Sequence, residues 1–385
     1  MKNQIIQCAG ISLVSRKNLC SVISLGMFSF LILYSSSDIF GEGYAQEDST
    51  GGRDAQSFYF NRSHAVRPEG LLSVDSNRGS IEINIVEQNE VSVEVVRKID
   101  ARYLEKAEEI LSQHKIDILT DGTNVTVNSR IIPGRIDDIR VDGLAKGMTE
   151  NLGNIIQKEF NSSLQSVQFR ISVPRAYNVN LITRGGKIVV GNLSGNVHCQ
   201  TSGGGIQLGR ISGRVSAVTT GGGIFLESCG DAVEVATSGG SIRIGDVDGA
   251  AAAVTSGGSI QLGKIRGAVI AKTSGGSIHI GKAEGAVEAE TSGGSISAVI
   301  ASQPGRDSNF STTGGSIRIG LAKDLALTVE TRGRVSAPFL PGNQKQSNGH
   351  QSSPLQLNGG GPTLFAANAS GGNILFYIVD SVESH

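Results

Sequence analysis

Residues 237–296 read TSGGSIRIGDVDGAAAAV, TSGGSIQLGKIRGAVIAK, TSGGSIHIGKAEGAVEAE and TSGGSI, three full 18-residue units and the opening of a fourth. The same period extends backwards. Thr183 opens TRGGKI, Thr201 TSGGGI and Thr219 TTGGGI, so seven successive starts from Thr183 to Thr291 keep an 18-residue step. Register then loosens: Thr312 opens TTGGSI after 21 residues, Thr331 opens TRGRVS after 19, and Ala369 opens ASGGNI near the end. Self-similarity at a fixed short period is the signature of a stacked repeat architecture.

Twelve residues after each threonine stands a second glycine, at Gly195, Gly213, Gly249, Gly267 and Gly285, with Asp231 the exception. Each unit therefore holds two short strands and two turns. Apolar residues alternate in both strands, as in Ile242 and Ile244 or Val287 and Ala289. A period of two marks a strand with one buried face. An antiparallel meander would tolerate drift in its loops, whereas stacked coils penalise insertions, so strict register favours a parallel β-solenoid with one unit per coil. Some nine coils at the strand spacing predict a rod on the order of 40 Å long. The glycine pairs are expected to turn the chain through positive φ. Ser241, Ser259, Ser277 and Ser295 are expected to form a ladder along one edge. The small inward residues Ala217, Ala253, Ala271 and Ala289 predict a thin core.

The repeat phase also places other side chains. Cys199 falls in line with Ala217 and Val235, and Cys229 with Ile211, Val247 and Ile265, all inward positions. Their separation of two coils, near 10 Å by strand spacing, exceeds the Cα reach of a disulfide, so two buried free thiols are expected. Gln207, Phe225, Arg243, Gln261, His279 and Ser297 share one outward phase.

Outside the repeats, residues 1–45 read as a signal peptide. Lys2, Arg16 and Lys17 precede the apolar run Leu19–Tyr34, and Gly43-Tyr44-Ala45 offers small residues for cleavage after Ala45. The apolar run is short for a membrane span. Residues 46–57 read as a flexible leader. Residues 58–180 read as a β-rich region, the start of the solenoid, in which RGSIEIN at Arg78 echoes the repeat turns. Ala101–Gln113 reads as an inserted helix with Leu104, Ala107, Ile110 and Leu111 on one face, and a second amphipathic stretch runs from Leu144 to Phe160. Residues 181–340 form the regular repeat, 341–363 a polar loop, and 364–385 the closing strands.

Composition narrows the function. The chain has 385 residues, 52 of them glycine, no tryptophan, and a formal net charge of −1. That balance offers no footprint for nucleic acid. Calcium-binding nonapeptide repeats need an aspartate recurring in the turn, and Asp231, Asp246 and Asp248 do not recur in register. A phosphate-cradling glycine loop leads into a helix, whereas these glycines lead into strands. His64, His114, His198, His279, His350 and His385 show no metal-ligand spacing. No serine motif brings a histidine and carboxylate with it. The outward row has no acidic pair of the kind β-helix hydrolases carry. No catalytic, cofactor-binding or metal-binding residue is assigned, and no cofactor is expected.

The ordered features resemble a known family. A strand ending in proline and running into the first glycine turn (Ile171–Ile188), the early Gly79–Ile83 turn, the T-S-G-G-S-I units, and Leu357–Pro362 before a closing G-G-N-I are similar to the bacterial putative-adhesin family, a domain of unknown function. The resemblance spans about residues 58–380. It implies a single-stranded β-solenoid and an exported or envelope location, in the periplasm, on the outer surface or outside the cell. It implies no catalytic residues.

The sequence thus predicts an all-β chain: a single-stranded parallel β-solenoid of 18-residue coils with minor helical insertions near its N-terminal end. The expected role is non-enzymatic and adhesin-like, binding a surface polymer, glycan or envelope protein. The alternatives are an envelope-stress or signalling accessory that binds a membrane protein, and a carbohydrate-active β-helix enzyme. Oligomeric state is open, and no membrane span is expected after signal cleavage.

Overall fold

The computed structural model describes residues 55–132, 163–338, 354–369 and 372–379. The expected signal peptide 1–45, the expected leader residues 46–54, the expected amphipathic stretch Leu144–Phe160, and residues 341–353 of the expected polar loop lie outside the described residues.

The described residues form two 14-stranded sheets. Each coil gives one strand to each sheet. Ile206–Ile211, Ile224–Cys229, Ile242–Val247, Ile260–Ile265 and Ile278–Ala283 follow one another in parallel in the first sheet. Val197–Thr201, Val215–Thr219, Val233–Thr237, Ala251–Thr255, Val269–Thr273 and Val287–Thr291 do so in the second. Partners stand 18 residues apart, as Ile242 does from Ile260. The β-solenoid is therefore as the repeat predicts. Fourteen levels at a strand spacing of ~4.8 Å make it longer than nine coils suggest, on the order of 60 Å.

The walls of the core are unequal. The first sheet points Ile, Leu and Val inward, as at Ile242, Ile244 and Val247. The second points Val and Ala inward, and then a threonine, as at Ala251, Ala253 and Thr255. The thin core predicted from alanines is thus a property of one wall, and the other wall supplies the bulk. Cys199 lies between Leu181 and Ala217 in the second sheet. Cys229 lies between Ile211 and Val247 in the first. Both are buried free thiols, on opposite walls.

The repeat threonines are buried, Thr183 through Thr312 at 2–6% exposure. Each hydroxyl donates across the stack to a glycine carbonyl of the coil before: Thr237 to Gly222 at 2.8 Å, Thr255 to Gly240 at 2.9 Å, Thr273 to Gly258 at 2.8 Å. The same oxygen accepts from the amide three residues on, Gly258 N–H to Thr255 Oγ1 at 3.3 Å. One buried hydroxyl thus closes its own corner and fastens it to the neighbouring coil. Across the 21-residue step the bond survives, Thr312 to Gly294 O at 2.7 Å, because the three extra residues lie between the strands Ile296–Ile300 and Ser308–Thr312. At the C-terminal end Asn368, not Ala369, stands in register with Thr312 and hydrogen-bonds to Gly315 O. The expected serine ladder forms on the exposed side, where Ser259, Ser277 and Ser295 each donate a backbone N–H to the preceding serine Oγ at 3.2–3.3 Å.

The glycine pairs do not serve positive φ. Among the described residues, that region holds only Gly79, Gly122, Gly333, Gly359 and Gly360 of the glycines, none from a regular 18-residue unit. Close approach explains the second glycine of each pair. A Cβ on Gly258 would meet Gly240 O at 2.1 Å, and one on Gly276 would meet Gly258 O at 2.1 Å. The first glycine has room, since a Cβ on Gly257 would lie 3.4 Å from Gly239 O.

Both ends of the stack depart from simple winding. Leu71–Ser76 and Ser80–Val86 form a coil directly against Asn178–Thr183 and Ile188–Val190, so the echo at Arg78 is structural. That coil lies between Val125–Ile131 with Leu164–Pro174 on one side and the regular repeat on the other. Beyond it the chain reverses, and Ala55–Ala65, Glu90–Asp100 and His114–Thr120 pair antiparallel. The predicted insertion begins as a 3-10 turn, Ala101–Lys106, and becomes an α-helix only over Ala107–Gln113, with Ala107 and Ile110 buried. At the other end, Thr363–Asn368 and Asn373–Val379 do not close the stack. They slot between Ser308–Ala322 and the pair Leu327–Arg332 with Arg334–Ser336. The outermost strand there, Leu355–Leu357, is antiparallel. Two boundaries change accordingly. Residues 55–57 belong to the first strand rather than a leader, and residues 355–357 and 363 belong to strands rather than a polar loop. The solenoid is parallel through its body and antiparallel at the N-terminal ends of both sheets and the C-terminal end of the second, where a reversed strand gives an edge that does not continue the ladder, while the first sheet ends in the short parallel strand Arg334–Ser336.

The two glycines of one pair should respond differently to the same change. Gly258→Ala is expected to cost about 3 kcal/mol, the upper range for forcing atoms into a packed site. Gly257→Ala is expected to change stability by about 0.5 kcal/mol or less. Chemical denaturation of both variants measures the difference, and equal effects would refute the stacking account.

Candidate binding faces

Outward side chains lie in straight rows because the coils are in register. On the first sheet Gln207, Phe225, Arg243, Gln261, His279 and Ser297 are consecutive partners, and Arg318 continues the row. Phe225 is 40% exposed, an uncommon position for a large aromatic. Its neighbours in the row are amide and guanidinium side chains, and Arg243 Nε donates to Gln261 Oε1 at 3.1 Å. The row therefore presents an apolar ring beside several hydrogen-bonding groups at a fixed spacing of about 4.8 Å. A parallel row carries Lys264 and Lys282, with Lys264 bound to Glu284 at 3.1 Å.

The second sheet offers a different surface. Val218 and Val254 are 41% and 43% exposed, and Ala236, Ala252 and Ile270 lie beside them. A shallow groove runs along this face past Ser216, Ala232, Glu234, Ala250, Ala252 and Ile270, with Arg214 and Arg306 also on its walls. A second groove continues it towards Asn180, Asn196 and His198. His198 and His279 are both exposed and on different sheets, as their phases predict. His350 and His385 lie outside the described residues.

His114 differs from these. It is 4% exposed, and its Nε2 lies 2.7 Å from Ser129 Oγ. Ser129 pairs with Ser76, and Ser76 with Thr183, so serines carry the line of buried hydroxyls into the N-terminal region and His114 ends it. Its Nδ1 has no hydrogen-bond partner among the described residues. Burial, with the positive charges of Arg97 and Arg78, lowers its pKa to about 4. A polar residue ending strand Leu71–Ser76 on the core side, in line with Thr183, was the available sequence signal.

Among the described residues no three His, Cys, Asp or Glu side chains are grouped to hold a metal. No helix there is long and apolar enough to cross a membrane. Burial raises the pKa of Cys199 and of Cys229, and Cys229 Sγ donates to Gly213 O at 3.1 Å.

No family profile matches the chain, and no curated protein does. Several solved structures do. One is named a putative adhesin from Bacteroides fragilis, at 12% identity over 83% of this chain and 97% of that one, with a TM-score of 0.28. Another is named a putative cell adhesion protein from Clostridium sporogenes, at 10% identity over 83% and 100%, with a TM-score of 0.16. A third is named a putative lipid binding protein from Parabacteroides distasonis, at 13% identity over 82% and 96%, with a TM-score of 0.31.

Two outcomes follow from the buried groups. His114 is neutral when folded, while in the unfolded chain it titrates near its ordinary value of about 6.5. Its contribution is therefore intact above about pH 6.5 and is lost as pH falls towards about 4, a difference on the order of 3 kcal/mol. His114→Gln, which keeps a partner for Ser129, should flatten that acid limb in denaturation measured between those values. Separately, Cys199 and Cys229 should not react with a thiol reagent in the native state, and both should react in denaturant. Rapid native labelling of either would contradict the burial described here.

Proposed function

We propose that this chain is an exported, non-enzymatic binding scaffold of the bacterial envelope, adhesin-like in mode, which holds an extended glycan or surface polymer along its first sheet. The observation that carries this reading is the outward row Gln207–Phe225–Arg243–Gln261–His279, held in register by the coils. A sugar ring can stack its apolar face on the exposed Phe225. Its hydroxyls can meet Gln207 and Arg243 on either side. A polymer repeats such contacts, and repeated weak contacts on one rigid surface add through effective concentration. The signal segment expected over residues 1–45 supports export, and the absence of an acidic pair along the row favours binding over glycoside cleavage.

The apolar second face supports a second reading, a protein ligand such as a membrane-protein partner, in which the chain is a signalling accessory. Binding of the purified chain to an array of bacterial and matrix glycans separates the two. The first reading expects retention of one polymer class and at least a tenfold loss in Phe225→Ala and in Arg243→Ala, with circular dichroism unchanged. Glycan binding unaffected by both substitutions would move the ligand off this row. Turnover of a polysaccharide by the chain would replace the scaffold reading with an enzymatic one.

A further inference from the structure

The second sheet presents an apolar surface with an ordered pattern of charge. Take the strand Ala251–Thr255 as its centre, where Ala252 and Val254 point outward and carry no charge. One coil towards the N-terminal end, Glu234 is exposed. Two coils that way, Arg214 flanks the strand Val215–Thr219. One coil in the other direction stands Lys272, and two coils that way stand Glu288 and Glu290. From one end to the other the signs are therefore plus, minus, neutral, plus, minus. Arg214 and Glu234 make no ion pair among the described residues, whereas Lys272 binds Glu288 at 2.5 Å and Glu290 at 3.7 Å.

This series is complementary to itself when reversed. A two-fold axis along the central strand brings Glu234 of one copy over the coil that carries Lys272 in the other, and Arg214 over the coil that carries Glu288. Both pairs then oppose unlike charges, each about one residue pair apart along the strand and within reach of long side chains. Val254 meets its own symmetry mate at the centre. Two copies aligned in the same direction would instead set Glu288 and Glu290 against the same pair, which costs free energy. We propose that two copies of this chain associate antiparallel, face to face, through the second sheet centred on Ala251–Thr255. Val218 and Val254, at 41% and 43% exposed, give this face apolar area that such a contact would bury. Isologous contact about a two-fold axis is also the commonest closed association. Five coils spaced at about 4.8 Å and five-residue strands give on the order of 400 Å² on each partner, about half a standard interface, so the pair is weak and concentration-dependent. This pairing does not depend on what the first sheet binds, and that sheet stays free in the pair.

Sedimentation equilibrium of the purified chain from about 1 μM to about 1 mM tests it. A monomer–dimer equilibrium within that range is expected. Glu234→Lys and Lys272→Glu each place like charges together twice in the homodimer and should weaken it at least tenfold. Mixing the two variants should restore association, because position 234 of each variant then faces an opposite charge at position 272 of the other. Val254→Glu, which sets two carboxylates at the axis, should abolish it, and circular dichroism checks that each variant is folded. A wild-type chain that stays monomeric throughout leaves the face to another occupant and overturns the proposal. So does a dimer indifferent to these substitutions, or a mixture that associates no better than either variant alone.

Discussion

The bond from each buried threonine to a glycine carbonyl one coil away is the constraint on which the stack depends. A turn in a thin solenoid brings backbone carbonyls into the interior, where an unpaired carbonyl or hydroxyl costs about 1–3 kcal/mol. Threonine meets that demand and also presents a methyl group to the core, with a β-branched shape suited to a strand. The Thr255 hydroxyl satisfies Gly258 N–H on its own coil and Gly240 O on the coil before. Such a bond forms only if the corners approach closely, and close approach excludes a Cβ at the second glycine. The threonine and the glycine are thus two sides of one requirement. The bond also tolerates changes in the loops between strands. Thr312 keeps its bond after a 21-residue step, and Asn368 takes the same place against Gly315 O in the last coil.

The unequal walls follow from the same geometry. A row of hydroxyls fastening one edge of the second sheet leaves little depth behind it, so Val and Ala fill that wall while Ile and Leu fill the other. The outward faces inherit this order. Each substitution on a coil surface is displayed at a fixed height and angle, so a row such as Gln207 to Ser297 is a rigid array and not a set of independent side chains. Binding surfaces built in this way are specified by sequence spacing more than by loop conformation.

Much of this was legible in the sequence because the interactions that decide it are periodic. An 18-residue step, two alternating strands and a glycine pair are enough to place Cys199, Cys229 and Phe225 on the correct sides. What escaped was of two kinds. The role of the glycines could not be read from Gly257 and Gly258 alone, since positive φ and close stacking both select glycine and only the neighbouring coil distinguishes them. The ends escaped because pairing there is non-local: nothing within Asn373–Val379 indicates that its partners are Ile317–Ala322 and Arg334–Ser336. The hydroxyl line through Ser76 and Ser129 to His114 was hidden for the same reason, as it passes between segments distant in sequence. The outward rows were visible in phase, but their ligand depends on chemistry that phase does not carry.

The slotted C-terminal coil has a mechanical consequence. A terminal strand at an edge can be peeled from one neighbour, breaking its bonds in succession under a small force. Thr363–Asn368 is instead bonded along both sides, and Asn373–Val379 is bonded on one side over Ile374–Val379 and on the other over Asn373–Leu375. Tension applied at the C-terminal end therefore meets a single ladder over Phe376–Val379 and two ladders only at Ile374–Leu375. Such a coil frays at its tip and then holds where it is gripped from both sides.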